Sequence, residues 1–135
     1  MIEIPPDVKF HPAYRLFTWH LHGVLDSDML NKIIAFIEYK EQDTEEPFNR
    51  FTDLSHLTAI ELDFEYVVRA SMHRRRAYVG HEHVKAAFFA TTSYSTYLAK
   101  VHALLTEYTP LEVAVFSEVA DAADWLGVPT EVLLP

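Results

Sequence analysis

The sequence lacks cysteine, has only three glycines and contains no long apolar run. Without cysteine the chain has no disulfide, no thiolate metal site and no cysteine nucleophile, and a reducing compartment is allowed. Gly23, Gly80 and Gly127 lie too far apart to form the glycine-rich loop that cradles a phosphate. No apolar run approaches the ~20 residues needed to cross a bilayer, so we expect no membrane insertion.

Basic residues are also scarce. The 11 lysines and arginines stand against 20 acidic residues, which gives a net charge of −9. Such a chain repels nucleic acids and anionic membranes, so we expect no nucleic-acid partner. Residues 1–6 lack the basic and apolar regions of a secretory signal, and a cytoplasmic location is expected. The length of 135 residues suits one domain over residues 1–135.

Hydrophobic patterning predicts an initial β-hairpin, with strands over residues 8–11 and 14–22, and then alternating helices and strands. The remaining predicted elements are a helix over 28–42, a strand over 47–54, a helix over 64–78, a strand over 84–90, a helix from Thr92 and Ser93 to about Tyr108, a strand over 111–116, and a helix capped by Ser117 and ended by Gly127. This alternation predicts an α/β fold with a mostly parallel sheet covered by about four helices.

The junction between the strand over 47–54 and the helix over 64–78 carries the most specific pattern. Asp53-Leu54-Ser55 is followed by Leu57-Thr58-Ala59-Ile60 and then by Glu61-Leu62-Asp63-Phe64. This order resembles the signalling site of STAS domains, the family that includes anti-sigma-factor antagonists. In that family an Asp-Ser-Ser-Gly segment opens the helix. Here Leu62 and Asp63 stand in place of the serine pair, and Phe64 stands in place of the glycine, so the usual phosphoacceptor serine is missing.

The rest of residues 14–127 resembles the broader SpoIIAA-like group, which is sometimes grouped with SEC14-type lipid-binding folds. The strands over 85–90 and 112–116 and the closing segment over 122–126 carry this resemblance. It implies a SpoIIAA-like fold with a non-catalytic regulatory or protein-interaction role. The residues that it implies for partner binding are Asp53, Ser55, Thr58, Glu61, Asp63 and Phe64. The SEC14 side implies an alternative role, as a carrier of a small apolar ligand or lipid.

Two features of the junction have more than one interpretation. Asp63 is either an N-cap that accepts backbone N–H bonds or a permanent mimic of a charged phosphorylated site. Phe64 either fills the space that glycine leaves open to a partner or joins Val67, Val68 and Met72 in a buried helix face. The expected partner is an unidentified protein, and a homodimer is a further expectation.

Histidines and arginines outside the junction suggest two other sites. His20 and His22 form one His-x-His pair, and His81 and His83 form another. Together they have the chemistry of a zinc or nickel site in a metal-dependent enzyme, provided that the two pairs meet in space. Hydrogen-bonded strand histidines are the commoner case, so no metal, cofactor or enzyme activity is expected.

The run Arg74-Arg75-Arg76 closes the helix over 64–78. Arginines clamp phosphate or carboxylate groups of a ligand or partner. Basic residues also favour helix C-termini because the helix dipole is negative there. The sequence leaves both interpretations open.

Overall fold

The structure is a computed structural model that describes Pro5 and residues 7–135. The strands are β1 (Val8–His11), β2 (Leu16–His20), β3 (Gly23–Asp26), β4 (Asn49–Asp53), β5 (Leu57–Glu61), β6 (Val84–Phe89) and β7 (Leu111–Phe116). The helices are α1 (Ser27–Asp43), α2 (Phe64–Ala77), α3 (Ser93–Leu105) and α4 (Val119–Leu126), with short 3₁₀ helices at Pro12–Tyr14 and Thr130–Leu133. In the described part of the chain, no helix combines the length and apolarity needed to cross a membrane.

The main sheet has the strand order β1-β2-β4-β6-β7. β1 pairs with β2 in an antiparallel hairpin, and the other neighbours pair in parallel. The predicted hairpin and mostly parallel sheet are therefore confirmed. From β2 the chain moves to β4, then to β6 and then to β7, so each connection between parallel strands runs in the same direction across the sheet. Right-handed crossovers then place α1, α2 and α3 on one face, and α4 packs on the opposite face.

Alternating side chains of the strands fill a core on each face of this sheet. On the face covered by α1, α2 and α3, the Phe17 ring packs edge-on against Phe36, and Trp19 is fully buried beside them. On the α4 face, Phe51 is fully buried against Ala122. Burial of each of these large side chains contributes about 2 kcal/mol to stability. The same alternation fixes which residues of β4 face each helical layer.

A second, two-stranded parallel sheet is formed by β3 and β5. The sequence patterning assigned no strand to residues 23–26 or 57–61, so both strands of this sheet were missed. These short strands pair with each other across a wide sequence separation, and Leu25 and Ile60 face the core. Their stability depends on that non-local pairing, which local patterning does not reveal.

Of the two interpretations of Phe64, burial in the helix face is excluded, because its side chain is 51% exposed. Val67 is buried in α2 as that interpretation expected, together with Ser71 and Arg74. Two predicted details at helix ends are wrong. Ser117 makes no cap, because Glu118 occupies the N-cap position of α4 without a side-chain bond. α3 ends at Leu105, before Tyr108, because the Thr106 hydroxyl bonds the His102 carbonyl and closes the last turn.

The end of α4 requires a left-handed backbone conformation at Gly127, and substitutions there test this requirement. It has a φ of 73°, and an added Cβ would meet no atom within 4 Å. Gly127→Ala is therefore expected to destabilise the fold by about 1 kcal/mol through backbone strain alone. Gly127→Asn should lose less, since asparagine tolerates this conformation better. Urea unfolding measures both values, and equal stability of all three proteins would contradict the explanation.

Candidate functional site

Asp53 lies at the carboxyl end of β4 and is almost fully buried. The parallel register places it opposite His20, the last residue of β2. His20 Nδ1 lies 2.9 Å from Asp53 Oδ2. The carboxyl ends of parallel strands meet at one edge of a sheet, and this is the edge where α/β proteins commonly bind ligands. The structure thus joins one residue of the predicted partner site to one residue of the predicted metal site.

Three more groups of the junction surround the Asp53 carboxylate. Ser55 donates its backbone N–H and its hydroxyl to Asp53 Oδ1 at 2.8 and 2.6 Å. His56 Nε2 lies 3.4 Å from Asp53 Oδ2. The His56 ring stacks on His22 with a centroid distance of 5.2 Å. Sequence reasoning did not assign His56 to this cluster, although its position three residues after Asp53 allows the contact.

The protonation of Asp53 follows from these contacts. Burial, the largest single influence, by itself raises the pKa of Asp53. The hydrogen bonds from the Ser55 hydroxyl, His20 and the Ser55 amide together outweigh burial and hold the pKa below its usual range. The carboxylate is therefore ionised at neutral pH. Its contacts tie the ends of β2 and β4 to the following turn, and the Ser55 hydroxyl is directed at Asp53 rather than at a histidine base.

Asp63 is the N-cap of α2. Its carboxylate accepts the Tyr66 backbone N–H at 2.7 Å, which matches the capping interpretation. Leu62 before it is buried in the core. Thr58 and Glu61 are exposed on β5. The junction thus presents fixed carboxylates beside the helix N-terminus.

Two tyrosines of α3 extend the junction. The Phe64 ring stacks on Tyr97, and Tyr97 stacks on Tyr94, each pair with centroids 6.5 Å apart. The Tyr94 hydroxyl donates to the Leu62 carbonyl at 2.6 Å. Phe64 is 51% exposed, Tyr97 is 49% exposed and Tyr94 is 45% exposed. The junction surface is defined by Glu61, Asp63, Phe64, Glu65, Tyr94 and Tyr97.

The three consecutive arginines do not form one exposed patch. Arg74 is buried, and its guanidinium donates to the Tyr78 hydroxyl at 2.7 Å and to Glu38 at 3.4 Å. Arg75 donates to the backbone carbonyls of Leu105, the last residue of α3, and Glu107. Arg76 is exposed. Helical spacing of about 100° per residue sends neighbouring side chains in different directions, which explains the separation.

The two His-x-His pairs lie at opposite ends of the sheet. His20 ends β2, whereas His81 and His83 precede β6, and β2, β4 and β6 are parallel. His83 pairs with Glu112 at 2.8 Å. Within the described residues, no cluster of three or more histidine, aspartate or glutamate side chains has the arrangement of a metal site. The condition that the two pairs meet is not fulfilled.

A cavity of about 130 Å³ lies between the sheet and helices α1, α2 and α3. It is the kind of space that the apolar-ligand interpretation requires. The residues that line it are Leu21, Leu25, Leu30, Ile33, Ile34, Ile37, Arg50, Thr52, Leu54, Ile60, Leu62, Val67, Ala70, Ser71, Arg74, Ala86, Phe88, Ser95, Leu98, Ala99, His102 and Leu111.

A buried polar network borders this cavity, and sequence reasoning missed its central residue, Arg50. Arg50 donates to the Tyr78 hydroxyl at 2.8 Å and to Glu41 at 3.2 Å. Tyr78 also donates to Glu41, and burial is the main cause that raises the pKa of Tyr78. The available signal was an arginine between Phe48 and Phe51 in an otherwise core-forming strand.

His102 belongs to the cavity wall. Its Nδ1 lies 2.7 Å from the hydroxyl oxygen of Ser71, which is fully buried. The ring lies edge-on to Phe88. Burial, together with the nearby Arg74 charge, lowers the pKa of His102 to about 4. His102 is therefore a neutral hydrogen-bonding group at neutral pH.

The Asp63 cap predicts a defined loss of stability. Asp63→Ala removes the acceptor for the Tyr66 N–H and should lower the free energy of unfolding by about 1 kcal/mol. Asp63→Ser keeps an acceptor and should retain most of the stability. Urea unfolding at neutral pH distinguishes the variants. If alanine and serine had the same effect, the capping explanation would fail.

The lowered pKa of Asp53 means that its contribution to folding stability should depend on pH. Because its folded pKa is below the unfolded value of about 4, ionised Asp53 stabilises the fold above that pH, and the contribution is lost as pH falls through the folded pKa. The stability difference between wild type and Asp53→Asn should thus shrink as pH falls below about 4. Asp124→Asn, at an exposed position of α4, is the control and should show little such change. A difference that stays constant with pH would contradict the role of Asp53.

The sequence matches no protein-family model and no curated protein. Among solved structures, the fold is similar to that of an uncharacterised protein of the DUF3478 family from Shewanella loihica, which is described as having a SpoIIAA-like fold. The two proteins are 15% identical over 82% of this chain and 83% of that chain, with a TM-score of 0.53. At this identity the similarity concerns the fold alone. It confirms the expectation from the sequence that this chain has a SpoIIAA-like α/β fold.

Proposed function

We propose that this chain is a non-catalytic protein-interaction module that docks a partner through the junction surface. The stacked rings of Phe64, Tyr97 and Tyr94 carry this proposal, since each is about half exposed although it is large and apolar. Aromatic side chains are the commonest anchors of protein interfaces, and a few of them supply most of the binding energy.

The acidic residues around the rings favour a partner with a basic surface. Glu61, Asp63 and Glu65 are exposed beside Phe64, and the chain as a whole carries a net charge of −9. Opposite charges across an interface steer association and exclude wrong partners. The partner surface is therefore a protein surface with an apolar pocket for the rings and a basic rim. We further propose that docking takes place in the cytoplasm.

Docking at this surface is constitutive in our proposal. The two residues that replace the family's serine pair are a leucine and an aspartate, which have no hydroxyl for phosphorylation. Leu62 is buried, and Asp63 caps α2. The Ser55 hydroxyl is held by Asp53. These contacts favour a site of fixed negative charge over one that is switched by a phosphate.

A second candidate function is the binding of a small apolar ligand in the cavity behind the sheet. The volume of about 130 Å³ and the mostly aliphatic walls support it. An apolar cavity of about 150 Å³ accommodates a molecule of the size of benzene. The ligand in this proposal is thus smaller than the acyl chain of a membrane lipid.

The docking proposal predicts the effect of removing single rings. Phe64→Ser or Tyr97→Ser should lower the amount of partner retained in a pull-down from the native lysate roughly tenfold or more, since truncation of a central aromatic anchor costs about 2 kcal/mol or more. Glu61→Lys should weaken retention most strongly at low salt, because it reverses one rim charge. Quantitative mass spectrometry of the retained proteins provides the measurement.

The matched control is Tyr108→Ser, because Tyr108 is 99% exposed and lies outside the junction surface. This variant should retain the same partner as wild type. Sedimentation of each protein alone determines whether the partner is a second copy of the chain. Equal retention by all variants would rule out docking at the junction surface.

A further inference from the structure

The two edges of the main sheet differ in how well they are protected. β1, at one edge, has four residues, carries the exposed Lys9 and is followed directly by Pro12. Short edge strands with lysine or proline discourage pairing with another chain. β7, at the other edge, has six residues without lysine, proline or glycine, and its single charged residue is Glu112. The β7 edge therefore lacks the features that protect the β1 edge.

The backbone groups of β7 alternate between β6 and the open edge of the sheet. Val84 donates its N–H to the Pro110 carbonyl at 2.9 Å, and Ala90 donates its N–H to the Phe116 carbonyl at 3.0 Å. The even-numbered residues of this segment therefore direct their backbone groups toward β6. The odd-numbered residues direct theirs away from the sheet.

Only one of the three odd-numbered residues of β7 is satisfied locally. The Thr109 hydroxyl accepts the Leu111 N–H at 3.2 Å and lies 3.3 Å from the Leu111 carbonyl oxygen, to which it can donate. Val113 and Val115 make no such contact within the described part of the chain. Their outward N–H and carbonyl groups form a template for a further extended strand.

The side chains along this edge are apolar on both faces of the sheet. Val113, Ala114, Val115 and Phe116 are all partly exposed. Val115 packs against the core on the face of α1, α2 and α3, whereas Phe116 lies on the α4 face beside Trp125, with ring centroids 5.6 Å apart. β-Branched and aromatic residues favour pairing with a neighbouring strand. A strand added here would bury apolar surface on both faces.

We propose that β7 pairs antiparallel with β7 of a second copy of this chain, so that the sheets of two molecules join. The two-fold axis lies at Ala114, which faces Ala114 of the second copy, and Val113 lies opposite Val115 on each side of the axis. Each of these valine pairs exchanges both N–H···O bonds. All outward groups of the two valines are thereby satisfied in both copies. The interface is closed, because both molecules use the same surface.

Other registers of this pairing leave backbone groups unsatisfied. An axis at Val113 would place Val115 opposite Leu111, whose backbone groups already contact the Thr109 hydroxyl. An axis at Val115 would place Val113 opposite Ser117, which lies beyond the end of β7. The axis at Ala114 alone matches the two free residues of one copy with the two free residues of the other.

The side chains favour the same register and a second copy as the occupant. Ala114 has the smallest side chain of the strand, and the register places it at a pair without hydrogen bonds, where opposing strands approach most closely. Glu112 then lies opposite Phe116 of the second copy rather than opposite another acid. β7 is therefore complementary to itself in backbone groups, side-chain size and charge.

Cysteine substitution tests the register, because the chain has no cysteine of its own. Ala114→Cys places two thiols across the axis, where Cα atoms about 4.5 Å apart are within reach of a disulfide. Val113→Cys is the matched control, since its two copies are diagonal neighbours about 7–8 Å apart. Tyr108→Cys, at a 99% exposed position, measures random collisions. Under mild oxidation, Ala114→Cys should form a crosslinked dimer at least about tenfold faster than either control, as measured by non-reducing electrophoresis.

Proline substitution tests the association itself by sedimentation. The Val115 N–H points outward, so Val115→Pro should abolish the dimer and leave the pairing with β6 intact. Ala114→Pro removes an N–H that faces β6 and should destabilise the fold, which unfolding in urea measures. Phe64→Ser, the docking variant, should sediment like wild type, so this test and the docking test give independent answers.

Hydrogen exchange in wild type provides a measurement that needs no variant. Because dimerisation follows mass action, the Val113 and Val115 amides should exchange several-fold more slowly when the protein concentration is raised roughly tenfold through the association midpoint. The Glu112 and Ala114 amides, which face β6, should change little. If Val115→Pro does not fold, this contrast between odd and even positions decides the matter.

Three results would overturn the proposal. Wild type that sediments as a monomer at every concentration would exclude the pairing. A dimer that persists in the folded Val115→Pro variant would place the interface elsewhere on the chain. Equal crosslinking rates of Ala114→Cys and Val113→Cys would exclude the axis at Ala114.

Discussion

The handedness of the parallel crossovers is the constraint on which the rest of this structure depends. The chain steps from β2 to β4, β6 and β7 in one direction, so three consecutive helices cover the same face of the sheet. This arrangement brings the N-termini of α2 and α3 together, which places Phe64 beside Tyr97. It also makes three helices share one sheet face, and the cavity lies between them and that face. Both candidate functions therefore follow from one topological feature.

The sequence predicted the strands of the main sheet, their mostly parallel pairing and four helices, because these patterns are local, but it did not predict the order of the strands. Continuous apolar runs marked β6 and β7, and Thr92 and Gly127 marked helix ends where the structure has caps. β3 and β5 escaped prediction because each is short and is stabilised by the other across more than thirty residues of sequence.

The candidate site was only partly predictable for the same reason. Asp53 and Asp63 were assigned from the junction pattern, and the Asp63 cap is confirmed. Tyr94 and Tyr97 joined the junction only through the packing of α3 beside α2. Arg50 and Arg74 carry no sequence signal of their shared partner, Tyr78, because a buried ion network depends on the three-dimensional path of the chain. Conversely, the His-x-His pairs looked alike in sequence, yet the parallel strands separate them.

The two faces of the junction have different chemistry. Inside, Asp53 is ionised and holds His20 and Ser55, so its charge organises the turn after β4. Outside, Glu61 and Glu65 are exposed on either side of Phe64 in the sequence, and the Phe64 ring is half exposed. For the proposed docking role, this arrangement supplies an acidic rim whose charge does not depend on phosphorylation.

The most direct measurement for the docking account is site-specific photo-crosslinking in the native cell. The photoreactive amino acid p-benzoylphenylalanine would replace Tyr97 in one protein and Tyr108 in another, since both tyrosines are exposed but only Tyr97 belongs to the junction surface. The account predicts one discrete crosslinked adduct from position 97 and none from position 108. No adduct at position 97, or the same adducts from both positions, would contradict it.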